Sequence, residues 1–526
     1  MKFYDIDTAL VEAIEKGDSP VRVRISLDWS GTGFYETVFE HDIIEAVFYG
    51  LKEVSGGTTA RGEVLLDNTY GTYACGGNGG RGAGREVRIS FSLGEGLPWF
   101  QRFVLYVDDN GFQDIRGPGQ RRALRLGLHD RSALLRKTEN SRDWTHPAVF
   151  TYLVICDKTQ AEKSLVHLIA KRAGIESGDI DCATIPITLP YVKLTKNTWT
   201  ELSELAKTYR AHLECAPEKP LVFAHSPYQQ ETENIDDCSY TFQGDKIFYL
   251  RETARAELYR NTVRLKINIP VALEKQEIWR YDDPPVLYDT NLTPMYPFRS
   301  TVLRDVQQQG YEAQYRIKDG GTERPVIYAD QIDTLEEAME RLDFEGGTFA
   351  YSAYDVTTHH EKALITLNTE TDGDLYRAAI YGRPIVLDLN RSCFLRDSEA
   401  VQQYGTAALN VSGSYFSEME VNGHPHYEDW TMRELAERSG KMPSMAFFQN
   451  GVSQNETPPK GMVTAPSMAR REFTVKTHRG LFHARIGARV QIETSKETLR
   501  GTINAFSLRY RRDVAFVAAF RISEEF

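Results

Sequence analysis

RGEVLLDNTYGTY, residues Arg61 to Tyr73, is a strand running into a corner. Glu63 to Leu66 reads as a short strand. Asp67-Asn68 and Gly71 then supply turn chemistry, because Asn and Asp tolerate a left-handed backbone and Gly has no Cβ to clash. The segments around it follow the same rhythm. VRVRISLDW (Val21 to Trp29), REVRISFSL (Arg85 to Leu93) and RRALRLGLHD (Arg121 to Asp130) alternate apolar and polar residues, and RFVLYV (Arg102 to Val107) is a fuller apolar run. Gly and Asp/Asn clusters separate them. Short strands at this spacing predict a sandwich or barrel.

The whole chain of 526 residues is too long for one core, and about three to four domains are expected. A hydrophobic content of 41% is enough to fill several cores and too high for disorder. Tyr and Phe number 27 and 25 beside 9 Met, a bias towards strands and buried aromatic surface. The formal charge of −12 argues against broad nucleic-acid binding, which needs clustered Lys and Arg. The acidic N-terminus, with Asp5, Asp7, Glu12 and Glu15, lacks the apolar run of a signal peptide, and Val514 to Phe520 is far short of a bilayer span. Synthesis as a soluble cytoplasmic product, with no membrane insertion, is the expectation. Six Cys at 75, 156, 182, 215, 238 and 393 make no CxxC, so free thiols in a reducing compartment are expected.

Beyond the first region the pattern becomes α+β. Two overlapping capping boxes, Asp157-x-x-Gln160 and Thr159-x-x-Glu162, predict a helix with Ala161, Leu165, Leu168 and Ile169 on one face and Gly174 as its stop. A second helix should begin near Thr198, with Trp199, Leu202, Leu205, Ala206 and Tyr209 as its apolar stripe. Strands are expected over Ala183–Leu189, Leu221–His225, Lys246–Arg251 and Asn261–Ile269. YDDPPVLYDTNLTPMYP (Tyr281 to Pro297) reads as a link. The stretch after it mixes strands at Ala363–Leu367 and Arg383–Leu389 with a helix near Leu335–Leu342. A capping box at Thr431-x-x-Glu434 predicts a helix with Met432, Leu435 and Ala436 inward, and Gly451 to Ser467 reads as an exposed loop before the closing strands. The divisions fall at residues 1–150, 151–280, 281–392 and 393–526: a fold class of α+β, β-rich and multidomain.

The segments that invite a chemical reading each have a plainer one. CGGNGGRGAG (Cys75 to Gly84) precedes a strand where a phosphate cradle would open a helix, and no GK[ST] follows. His424-Pro425-His426 and His359-His360 lack a third ligand nearby in sequence, and surface histidines are expected. Asp108-Asp109, Asp236-Asp237 and Asp282-Asp283 are adjacent, whereas glycoside hydrolysis needs two carboxylates separated in space. Asp108-Asp109-Asn110-Gly111 reads as a hairpin turn. No GxSxG is present. Catalytic residues, cofactors and metals are therefore all expected to be none. The short basic pairs Arg121-Arg122, Arg470-Arg471 and Arg511-Arg512 fit charged strand edges.

In the order of its motifs the chain resembles the tail and baseplate hub proteins of long-tailed phages and related contractile particles. The first motif is the LLDNTYG corner. The second runs from DKTQAEKSLVHLIAKRAGI to ITLPYVKLTKNTWTELSELAKTYRAHLECAPEKPLVF, with Trp-x-x-Leu opening the second helix at Trp199. The third is SEAVQQYG, Ser398 to Gly405, followed later by ARIGARVQIETSKETLRGTINAFSLRY. The resemblance marks Asp67, Asn68, Gly71, Trp199, Tyr404 and Gly405 as structural motif positions. It implies two β-barrel-like hub domains per subunit and a homotrimeric ring offering six similar surfaces to a hexameric tail tube. The partners it implies are further copies of the chain, the tail tube protein, other tail-tip or baseplate proteins and a tape-measure protein. DNA would meet the ring only in transit, and an acidic channel wall would let it slide. The location it implies is the virion tail. The region from about 298 to 392 and the segment before Val21 match nothing in this pattern.

Two other classes stay open on the residues alone. One is a β-rich cell-wall or polysaccharide hydrolase with its carboxylates drawn from distant segments. The other is a carbohydrate-binding, adhesin-like protein whose exposed aromatics grip sugar.

Overall fold

The computed structural model describes residues 3–17, 19–28, 32–54, 56–73, 83–116, 122–137, 148–224, 226, 238–255, 259–282, 309–314, 316–319, 322–326, 328–330, 357–359, 362–367, 377–388, 391–439, 470–495, 497–514 and 516–524. Much of Cys75–Gly84, nearly all of the proline-rich link, the expected helix near Leu335 and the Gly451–Ser467 stretch lie outside them.

The LLD run ends the strand Thr58–Asp67, which pairs antiparallel with Ile43–Lys52 on one side and Arg122–His129 on the other. Outward from Arg122–His129 come Phe100–Arg116, Glu86–Leu93, Val21–Leu27 and Glu36–Thr37. In the other direction Ile43–Lys52 pairs with Thr498–Arg511, and Val517–Glu524, Arg470–Thr477 and Tyr249–Arg255 follow. Arg489–Glu493 branches from Thr498–Arg511, and Tyr240–Phe242 pairs parallel with Arg489–Glu493, making a sheet of 13 strands. The two ends of the chain thus share one sheet and one core. Among the described pairings its path stays open, from Tyr249–Arg255 to Glu36–Thr37; barrel closure is not among them.

Alternation explains the burial. Val21, Val23, Ile25 and Leu27 point inward, and in the register Val23 faces Phe91 and Ile25 faces Ile89 on the neighbouring strand. The core then knits the two halves through aromatic rings. Phe482, from the last region, stacks on Phe91 with centroids 5.3 Å apart, and Phe506 lies 6.1 Å from Phe103. The helix Thr8–Lys16, which the sequence reading left unassigned, is capped by Asp7 and closed by Gly17 at φ 72°. Arg479 fills the space beside Gly17 and donates to the Ile14 and Glu15 carbonyls at 3.2 and 2.8 Å.

One turn assignment is corrected. Asp108 to Gly111 do not reverse the chain; they bulge out of the strand Phe100–Arg116. The partner register jumps from Val107↔Leu128 to Phe112↔Leu126, so four residues oppose Gly127 alone. A Cβ at Gly127 would lie 2.8 Å from Asp108 Cγ, so a larger residue there would displace the Asp108 carboxylate.

A second core gathers residues 135–223. It contains the pair Ala148–Cys156/Ile185–Leu194, the small sheet of Ile180–Cys182, His212–Glu214 and Leu221–Ala224, and the helices Leu165–Arg172 and Thr198–Thr208. The first of these helices starts at Leu165, later than both capping boxes, after a 3-10 turn over Ala161–Lys163. Asp157 binds the amide and hydroxyl of Thr159 instead, at 2.8 and 2.7 Å. The second begins at Thr198 as read, with Asn197 Oδ1 accepting from the Thr200 amide at 2.9 Å. Its whole expected stripe is buried.

A third core joins Thr262–Ile267 and Ile269–Ala272 to Ser392–Arg396, Ala408–Gly413 and the helix His426–Ser439. Thr262–Lys266 pairs with Ser392–Arg396, so this sheet crosses the sequence division at 392. That helix begins five residues before the capping box assigned to it. Thr431 lies inside the helix and donates back to the Tyr427 carbonyl at 2.7 Å. Met432, Leu435 and Ala436 are inward as read.

Candidate functional site

The LDN corner is held together by its own side chains. Asn68 is buried, its Nδ2 donating to the Tyr73 carbonyl and its Oδ1 accepting from the Tyr73 amide, both at 3.0 Å. Gly71, at φ 69°, closes the tight turn with its amide on the Asn68 carbonyl at 2.9 Å. Asp67 binds the Thr69 amide and hydroxyl at 3.1 and 2.6 Å. Tyr73 then reaches Asp42 Oδ2 at 2.5 Å, and its hydroxyl accepts from the Phe39 amide at 3.2 Å. Burial, with Asp42 beside it, pushes the Tyr73 phenol upward. Asn68→Ala removes a donor and an acceptor from a buried pair, and a loss of about 1–3 kcal/mol in unfolding free energy is expected from denaturant titration.

Trp199 marks where the second unit docks on the first. It is 1% exposed and packs against Gly57, where a Cβ would lie 2.5 Å from the indole. At Gly56 (φ 109°) a Cβ would meet the Ser203 carbonyl at 2.6 Å. The Gly56-Gly57 pair, which the sequence reading did not single out, is therefore the bare backbone on which the Trp199 helix rests. The third unit docks on the other flank. Tyr209 donates to the Tyr415 carbonyl at 2.6 Å, Ser417 donates to the Thr188 carbonyl at 2.7 Å, and the Tyr415 hydroxyl donates to Glu201.

Tyr404 and Gly405 end the helix Ser398–Tyr404, whose N-cap is Asp397. Tyr404 is 36% exposed. Fully buried Asn261 stitches this stop, donating to the Gly405 carbonyl at 2.7 Å and accepting from the Ala407 amide at 2.8 Å. The six motif positions thus lie in three separate places. Each is a turn, cap or packing post.

Among the described residues a cluster of buried charge lies elsewhere, where four distant segments meet. Glu214, 5% exposed, accepts from Tyr4 at 3.0 Å, pairs with Arg485 and has Oε2 3.0 Å from His212 Nε2. Arg102 donates to the Phe482 and Ala484 carbonyls, both at 2.9 Å, and lies 4.5 Å from the Tyr4 ring. Burial pushes the Glu214 carboxyl up, and His212 and Arg485 more than reverse it, so it stays ionised. Burial holds His212 down despite Glu214. The cavity beside this cluster measures about 20 Å³, room for about one water and none for a sugar. Its ionised carboxylate is saturated by partners, which suits a clasp and not an acid–base pair. No local signal marks these residues, since Tyr4, Arg102, Glu214 and Arg485 are far apart in sequence.

The other lures resolve singly. Asp109 is exposed and paired with Lys137. Asp236-Asp237, Asp283 and His360 lie outside the described residues. The expectation of surface histidines is wrong for His426, which is fully buried and stacks on Tyr209 at 4.6 Å with 1° between planes. His424 faces Glu428 at 3.8 Å.

Burial draws His426 down to about 3 and His483 down to about 4. Both are neutral when folded, whereas unfolded imidazoles take a proton near pH ~6.5. The unfolded chain therefore binds protons first as pH falls, and stability present above about pH 6.5 is lost on the way down. Asp130, which burial raises to about 6, acts in the opposite sense, losing stability as pH rises through that value. The readout is consequently a comparison of variants. His426→Phe keeps the stacked shape, and its melting temperature should fall less than the parent's between pH 7 and pH 5.

No helix among the described residues is long and apolar enough to cross a membrane. No family model and no curated protein matches the sequence. Solved structures with similarity to the chain include prophage tail proteins and a type VI secretion component. The 43 kDa tail protein of prophage MuSo2 from Shewanella oneidensis has 10% identity and a TM-score of 0.46, over 95% of this chain and 98% of that one. A tail protein from Neisseria meningitidis has 8% identity and a TM-score of 0.46, over 96% and 97%. A type VI secretion component from Escherichia coli, described as structurally similar to the T4 bacteriophage tail proteins gp27 and gp5, has 9% identity and a TM-score of 0.35, over 92% and 74%.

Proposed function

We propose that this chain is a structural hub subunit of a phage tail or tail-like particle, located in the virion and without catalysis of its own. Three copies close into a ring that joins the tail tube to the tip or baseplate. The observation that carries this reading is the sheet shared by the two ends of the chain. The two strands at the ends of its path among the described pairings carry different apolar side chains. Phe248, Tyr249 and Leu250 are exposed at one, and Phe34 and Phe39 near the other. An unpaired edge with exposed apolar residues seeks a partner strand or surface. A ring closes only if each subunit offers two unlike patches, and this sheet has them. The two halves of that shared sheet, drawn from the regions 1–150 and 393–526, face the tube side by side. The motif order and the LDN corner support the same assignment. The net charge of −12 suits a wall past which DNA or a tape-measure protein slides.

Light scattering on the purified chain, alone and with tube protein, tests this. Three copies per particle are expected in at least one condition. Leu250→Glu, at a half-exposed position, should abolish that assembly with an unchanged melting temperature. A monomer in both conditions that releases reducing sugar from a polysaccharide would replace the hub with the hydrolase. A monomer that binds glycans without cleaving them would replace it with the adhesin.

A further inference from the structure

The second core holds a group outside the docking contacts described above. Cys156 ends the strand Ala148–Cys156, His167 lies in the helix Leu165–Arg172, and Cys182 ends the strand Ile180–Cys182. Their ligand-type atoms all lie within 4.8 Å of one another, and all three residues are buried, at 0%, 5% and 3% exposure. Cys182 Sγ is 3.9 Å from His167 Nε2.

We propose that Cys156, His167 and Cys182 bind one thiophilic divalent metal ion of the zinc class through the two Sγ atoms and Nε2. Zinc bonds of about 2.3 Å to sulfur and about 2.0–2.1 Å to nitrogen, at tetrahedral angles, set sulfur–nitrogen edges of about 3.6 Å and a sulfur–sulfur edge of about 3.8 Å. The separations here need only small side-chain adjustments to meet those edges. The imidazole is already oriented. Ser164, itself fully buried, has Oγ 2.7 Å from His167 Nδ1, and that oxygen also accepts from the Asp157 amide at 3.3 Å. With Nδ1–H donating to Ser164, the lone pair of Nε2 faces the thiols, the outer-shell arrangement typical of metal-bound histidine. Three protein ligands leave one coordination position for a water. As each sulfur bonds the metal its thiol proton passes to solvent, so binding strengthens with rising pH. The ion would tie two strands and a helix together beneath the Trp199 helix. Neither Cys156-x10-His167 nor the longer step to Cys182 is a familiar ligand spacing, which is why the sequence alone suggested no metal.

The test uses the full-length chain, stripped by chelator under reducing conditions and titrated with cobalt(II) or zinc(II) alone. One equivalent of cobalt should give thiolate-to-metal charge-transfer absorption that zinc abolishes, and zinc should raise the melting temperature of the stripped chain. Cys182→Ser should weaken cobalt binding at least about tenfold and Ser164→Ala about 10–100-fold. Cys393→Ser, in the third core, should leave it unchanged. Should Cys182→Ser fail to fold, the parent titration decides alone. Absence of charge-transfer absorption in the reduced parent chain, or a native Cys156–Cys182 disulfide found by mass spectrometry, would overturn the proposal.

Discussion

Glu214→Ala should lower the stability of the chain by about 3–5 kcal/mol, because it strands buried cations that the carboxylate now balances. Arg485 loses its ion pair, Tyr4 loses its acceptor at 3.0 Å, and nearby Arg102 loses a compensating charge. The four residues belong to the N-terminal segment, the first sheet half, the second unit and the last region. Loss of the carboxylate therefore loosens every unit that meets there. The measurement is the first transition in a denaturant titration, since a chain with several cores need not unfold in one step. Glu214→Gln preserves shape and one acceptor, and an intermediate loss is expected. Equal stability of Glu214→Ala and the parent would show that the cluster does not hold the units together.

Trp199→Ala should cost about 3–5 kcal/mol, the range for removing a large buried aromatic. The indole fills the space between its own helix and Gly57, so its loss opens a cavity at the joint between the first and second units. Trp199→Phe should cost less, because the indole nitrogen has no hydrogen-bond partner among the described residues and only packing area is given up. Gly57→Val tests the same joint from the other side. A branched side chain there would collide with the ring and should separate the units without melting either core. Limited proteolysis would read this as faster cleavage of the chain into fragments that retain the resistant first and second cores.

What the sequence revealed and what it hid follow the range of the interactions. The period-2 runs at Val21, Glu86 and Arg122 are strands, since alternation is a local property that burial on one face enforces. The Trp199 stripe was readable for the same reason at helical spacing. Starts of helices were less so. Asp157 and Thr431 carry capping chemistry but spend it on a turn and on a back-bond inside a helix. The bulge at Asp108–Gly111 resembles a hairpin turn because both use the same residues, and the difference lies in the partner strand. Long-range features were invisible. No local pattern announces that Ile43–Lys52 pairs with Thr498–Arg511, that Glu214 meets Arg485, or that three Cys and His side chains converge in the second core.

The most direct test of the assembly reading is cryo-electron microscopy of the chain mixed with a phage tail tube protein. A threefold ring capping the tube, with neighbouring subunits meeting through the Tyr249–Arg255 edge, is the expected result. A tube left bare beside single copies of the chain that turn over a cell-wall glycan would contradict it.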